Sequence, residues 1–105
     1  MATKTNETTR KILEHLFSLG CFAWRNNTTG IPSATGFHTS AKKGVPDILG
    51  CLPQGRFLAI EVKTGTDRVR PEQEGFIASV LHCGGIAFVA KDYPDYLNKI
   101  KPWLK

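Results

Sequence analysis

Nothing in this sequence stays apolar for long. No run approaches the ~20 residues that a membrane-spanning helix needs. The opening MATKTNETTRK is polar and lacks the apolar centre of a secretory leader, so an intracellular, cytoplasmic protein is the expectation. Cysteine is scarce as well: Cys21, Cys51 and Cys83 are odd in number, far apart and set in apolar surroundings. With His15, His38 and His82 they form neither a CxxC nor an HxxxH spacing. That argues against structural zinc and for buried, reduced thiols. Internal repeats and low-complexity segments are absent too. Acidic residues are the last shortage, 9 Asp and Glu against 14 Lys and Arg, for a net charge of +5. Such a balance favours a polyanionic partner without identifying one.

What is present suffices for one domain. A chain of 105 residues, 41% hydrophobic and 22% charged, has the ordinary balance of a globular protein and room for a single core. Residues 1–6 read as a loose arm. A helix is predicted from residue 7 or 8 to 19, because Ile12, Leu13, Leu16, Phe17 and Leu19 recur at helical spacing. Asn6, Thr8 or Thr9 could cap it, and Gly20 ends it. Residues 21–25 (CFAWR) are β-prone, and 26–43 form a long polar excursion in which 37–39 can pair briefly as a strand. A loop that long in a small domain is more often functional than idle.

Two apolar strands follow, at about 45–52 and 57–64, joined by Pro53-Gln54-Gly55. After the basic loop TGTDRVR, Pro71 suits the first turn of a second helix whose stripe is Phe76, Ile77, Val80 and Leu81. Residues 86–90 (IAFVA) read as a strand covered on both faces. A short helix at 93–100 and a Pro102-Trp103-Leu104 hook close the chain. The order is α-β-β-β-α-β-α. The unit from Phe57 to Ala90 is a β-α-β crossover, which calls for parallel strands and a right-handed connection. The fold class is therefore α/β, a small mixed sheet flanked by helices.

Three ionisable residues interrupt the apolar strands: Asp47 in one, Glu61 and Lys63 in the next. Burying an unpaired charge is costly. Residues two apart on a strand share a face, so Glu61 and Lys63 project together. Register decides whether Asp47 joins them. A three-residue loop with Gly55 at its left-handed position pairs Leu52 with Arg56 and, counting outward, Asp47 with Glu61. A two- or four-residue loop would set Asp47 opposite Val62, on the wrong face. Two carboxylates that close repel unless a cation lies between them. Oxygen ligands without sulfur or imidazole suit Mg²⁺ or Mn²⁺, and Lys63 would then serve a phosphoryl transition state. The competing interpretation is a structural salt bridge.

The pieces GVPDILG, FLAIEVKTG, PEQ and GGIAFVA, preceded by WRNN, occur in order from about Glu7 to Tyr96. PD, thirteen residues and EVK is similar to the PD-(D/E)xK nuclease signature, and the wider string resembles the small VRR-NUC branch. That resemblance implies a restriction-endonuclease-like core and a metal-dependent endonuclease acting on DNA. It implies Asp47, Glu61 and the Val62 carbonyl as metal contacts and Lys63 as the catalytic lysine. It further implies a homodimer acting on branched DNA such as four-way junctions or flaps.

The family adds a glutamate from the first helix, for which Glu7 is preferred over Glu14. Gln73, on the inward stripe of the second helix, could bind water, phosphate or strand backbone; its match to PEQ favours a catalytic part. Lys42, Lys43, Arg68 and Arg70 on flanking loops, with Arg25, Asn26 and Asn27, are the candidate DNA contacts. His38 is a possible proton carrier. Trp24 and Trp103 are expected to pack, since no aromatic spacing suggests a stacking platform. A non-catalytic DNA-binding module on a nuclease fold is the alternative function, and a sequence-specific restriction enzyme ranks last for want of a recognition domain.

Overall fold

The strand Phe57–Val62 carries the architecture: five of its six residues are buried, and it has a partner on each side. The computed structural model describes residues 4–26, 31–33, 36–38 and 43–104, with the backbone alone for the two short middle stretches. In chain order the elements are α1 (Lys4–Ser18), β1 (Phe22–Arg25), β2 (Ile31–Ser33), β3 (Gly36–His38), β4 (Ile48–Cys51), β5 (Phe57–Val62), α2 (Pro71–His82), β6 (Ile86–Ala90) and α3 (Tyr93–Ile100), followed by a 3-10 turn, Lys101–Trp103. The main sheet runs β1-β4-β5-β6. β1, β4 and β5 are successively antiparallel, and β6 lies parallel to β5 across the α2 crossover. The mixed sheet with helices on both faces is the expected α/β core.

Period-two alternation divides the core. On one face Leu58, Ile60 and Val62 meet Ile12 and Leu16 of α1 and Tyr96 and Ile100 of α3. On the other, Ala59 and Ala87 pack under Val80 of α2, with Leu49, Phe76 and Ile77 beside them. The second layer is small because α2 lies over β5 and β6. Glu61 and Lys63 belong to the face of Ala59, on the α2 side.

Several boundaries differ from expectation. α1 begins at Lys4, so residues 4–6 of the expected arm are helical; the Thr5 hydroxyl meets that of Thr64 at 2.5 Å and the Thr9 hydroxyl donates to the Thr5 carbonyl at 2.8 Å. Those bonds anchor a turn that periodicity could not detect. β4 starts at Ile48, since Pro46 has no N–H to offer a ladder. The expected pairing in the excursion is present as β3, joined to β2 in a separate two-stranded sheet. Phe17 lies 82% exposed and Leu81 51%, off the stripes assigned to them. Cys21 is buried but Cys83 is exposed, which corrects the expectation that all three thiols are interior.

The hairpin between β4 and β5 has the anticipated register. Leu52 N–H donates to the Arg56 carbonyl at 3.0 Å and Gly55 N–H to the Leu52 carbonyl at 2.7 Å. Ile48 then pairs with Ile60, and one step outward Asp47 faces Glu61. Gly55 has φ +90° and no atom within 4 Å of where a Cβ would stand. Its substitution therefore costs backbone conformation and nothing else. Gly55→Ala should destabilise the protein by about 1 kcal/mol, measured by urea unfolding, whereas Gln54→Ala in the same turn should stay within about 0.5 kcal/mol.

Candidate active site

Where β4 stops, side chains take over the work of the ladder. The Asp47 carboxylate accepts a hydrogen bond from Val62 N–H at 2.9 Å, and the Glu61 carboxylate accepts one from Asp47 N–H at 3.2 Å. Each acid thus holds the backbone of the other's strand. Asn26 N–H reaches the Asp47 carbonyl at 2.6 Å, continuing the sheet toward β1. The second Glu61 oxygen takes the Lys63 ammonium at 3.3 Å and the Gln73 amide at 2.8 Å. Asp47, Glu61, Lys63 and Gln73 therefore meet at one end of the sheet, under the first turn of α2.

Glu61 is 3% exposed. Burial, then the charge of Asp47, pushes its carboxyl above the usual value of 4.5, and the Lys63 ammonium and the Asp47 N–H only partly offset that rise. The pair is thus crowded with negative charge despite its hydrogen bonds.

The turn that brings Gln73 here is tightly built. Arg70 N–H donates to the Gln73 side-chain oxygen at 2.8 Å, so one amide caps α2 with its oxygen and holds Glu61 with its nitrogen. The inward-facing amide expected to need partners thus finds them in the cap of α2 and in Glu61. Gly44, at φ +80°, lies so close to α2 that a Cβ would stand 2.2 Å from the Glu72 carbonyl oxygen. That approach sets Lys43 beside the helix N-terminus, with the exposed Arg70 at its cap and Arg68 on the loop before it.

Other candidates lie apart. Glu7 and Glu14 line a groove between α1 and β1 with Leu13, Phe17, Ala23 and Arg25. Glu14 pairs with Arg10 at 3.0 Å. Glu7 is exposed and lines that groove next to the buried Thr8. Among the described residues no three Asp, Glu, His or Cys side chains gather as a metal site. Arg25 hydrogen-bonds Asn6 and faces α1, unlike Asn26 beside Asp47. Asn27 and Lys42 lie outside the described residues, as does the His38 side chain. Trp24 is 43% exposed and Trp103 40%, so neither packs as expected; Trp103 instead receives Arg56 at 5.1 Å from its ring centroid. The Thr5–Thr64 contact, which ties α1 to the residue after Lys63, had no sequence signal beyond the helix-side threonines.

The four-stranded mixed sheet flanked by helices is consistent with an α/β nuclease core. The family model for the VRR-NUC domain matches residues 6–92, and the chain belongs to that family: it is a nuclease-type domain whose partner is DNA. A solved structure entitled "VRR_NUC domain" is similar over 96% of this chain and 97% of its own, at 22% identity and a TM-score of 0.69. At that identity the likeness speaks for the fold. A search of curated proteins finds no match.

The raised Glu61 carboxyl has a sign that can be tested. Its stabilising, protonated form is fully present below the unfolded value of 4.5 and is lost as pH rises through the folded value. In EDTA, the stability of Glu61→Gln relative to the wild type should therefore increase as pH is raised from 4.5, then level off. Urea midpoints across pH measure this; a flat difference would remove the crowding argument.

Proposed function

We propose that this protein is a Mg²⁺- or Mn²⁺-dependent endonuclease that hydrolyses DNA phosphodiester bonds, selective for branched structures such as four-way junctions or flaps, and active as a homodimer. One observation carries the reading. Two carboxylates face each other on adjacent strands, one of them buried and crowded, with an ammonium and an amide on the same oxygen.

The donor set fits a hard divalent cation. It consists of carboxylate oxygens without sulfur or imidazole, at a place where added positive charge relieves the strain on Glu61. Asp47, Glu61 and the Val62 carbonyl are the proposed metal contacts. Glu7, on the groove between α1 and β1, is the proposed additional acid from the first helix. When bound there, the ion holds a phosphate oxygen and stabilises the negative charge that develops in hydrolysis.

The chain's own residues supply the rest. Lys63, 14% exposed on its side chain, is tethered to Glu61 and points its ammonium into the cluster. It orients the attacking water or neutralises the phosphate in the transition state. Gln73 fixes the Glu61 carboxylate and, through its own oxygen, locks that carboxylate to the start of α2. Lys43, Arg68 and Arg70 flank the site and bind phosphates, which set position rather than sequence preference. The domain offers little surface for gripping several DNA arms at once, which supports two copies acting together.

Lys63→Ala should lower the rate of junction or flap cleavage in Mg²⁺ by about 10²–10³-fold while leaving DNA affinity in EDTA close to wild type. Undiminished cleavage by the variant, or no cleavage of junction, flap or duplex by the wild type in Mg²⁺ or Mn²⁺, would overturn the enzyme reading. Light scattering should give a mass near twice 11.6 kDa; a monomer at micromolar concentration would remove the dimer.

A further inference from the structure

Among the described residues β1 is an edge strand of the main sheet, paired with β4. Its Ala23 packs with the core under α1. Alternation therefore sends Phe22 and Trp24 to the opposite face, the one that carries Leu49, Asp47 and Glu61. α2 lies over β5 and β6 on that face, and the two aromatics stand 70% and 43% exposed. Their rings lie 5.3 Å apart between centroids, tilted by 47°. Exposing a phenyl and an indole side by side forfeits burial that could have stabilised the fold. Such a patch commonly marks a binding surface.

Register places this pair relative to the carboxylates. Trp24 pairs with Leu49, two residues along β4 from Asp47. With strands about 4.8 Å apart and a rise of about 3.3 Å per residue, Trp24 sits about 8 Å from Asp47 across the sheet. That is roughly two stacked base steps of about 3.4 Å each. A nucleotide two steps from the one whose phosphate lies at Asp47 and Glu61 is thus at the distance of the indole.

We propose that Phe22 and Trp24 form a shelf on which an unpaired nucleobase, about two steps from the phosphate being cut, stacks. The inference rests on the cleavage reading of Asp47, Glu61 and Lys63, and it gives that site a means of selecting branched over duplex DNA. A base held in a duplex already stacks on its neighbours, whereas a base freed at a fork or flap offers an open π-face. Aromatic side chains take such faces with little regard to sequence. Lys43, exposed at the site end, supplies positive charge for the backbone beside that base. A second copy of this chain seated on the shelf would crowd the approach to Asp47, which favours DNA as the occupant.

The test is binding in EDTA, so that it does not depend on cleavage. The probes are a forked duplex carrying 2-aminopurine at its first unpaired position and a fully paired duplex of equal length. Trp24→Ala should weaken binding to the fork by at least about five-fold, leave duplex affinity within two-fold, and abolish the quenching of 2-aminopurine that the wild type produces. Trp24→Phe, which keeps an aromatic face, should recover most of the fork affinity, and Phe22→Ala should show a smaller loss of the same kind. Equal losses on both DNAs, or no loss on the fork, would overturn the shelf. So would a fall in solution mass on Trp24→Ala, which would make the patch an interface between copies. Fork discrimination that depends on Trp24 in a protein that cuts nothing in Mg²⁺ or Mn²⁺ would remove the cleavage reading and leave the shelf standing. Cleavage without such discrimination would do the reverse.

Discussion

Asp47 and Glu61 exchange carboxylates for backbone: each side chain binds an N–H of the other's strand. The rest of the site depends on that exchange. Pro46 cannot donate to a ladder, so ordinary strand pairing gives out at Asp47. The carboxylates replace the missing bonds and in doing so are fixed opposite one another. Positioning needs no separate device, because the sheet's own edge of regularity does it. Gln73 extends the same economy to α2, using one amide to cap the helix and to hold Glu61.

Such a cluster works against the fold. Glu61 is buried beside a second carboxylate, and burial together with Asp47 raises its proton affinity despite Lys63. Protein interiors normally avoid this arrangement, and strain of that sort concentrates at functional sites. The surroundings tolerate it because the two core layers lie elsewhere. Tyr96, Ile12, Leu16 and the apolar face of β5 form the larger layer, on the side away from the acids. The acids sit at the margin of the smaller layer, where α2 begins and where DNA would meet the sheet.

The hairpin register was legible because one glycine reports it. Gly55 in a three-residue loop leaves a single pairing that keeps Asp47 and Glu61 on one face, and that pairing is present. Strand faces and the α2 crossover were legible for the same reason: alternation and helical stripes are local. What escaped was set by partners distant in sequence. The Thr5–Thr64 bond lengthened α1 beyond its apolar stripe. Glu7 was favoured for its place at a helix start, yet α1 begins a turn earlier, at Lys4, and Glu7 is exposed on the groove beside β1. Trp24 was expected to pack because no aromatic spacing suggested a stacking platform. Its exposure follows from α2 covering only one side of the sheet, which no pattern in β1 itself could report.

The proposed divalent-cation site stands or falls with the reciprocal carboxylates of Asp47 and Glu61. Calorimetric titration of Mn²⁺ into the metal-free protein, compared with Asp47→Asn and Glu61→Gln, tests it without requiring a DNA substrate. The wild type should bind Mn²⁺ saturably, and both single substitutions should abolish that binding or weaken it by at least an order of magnitude. Wild-type protein that takes up no Mn²⁺, or variants that bind it as the wild type does, would contradict the account.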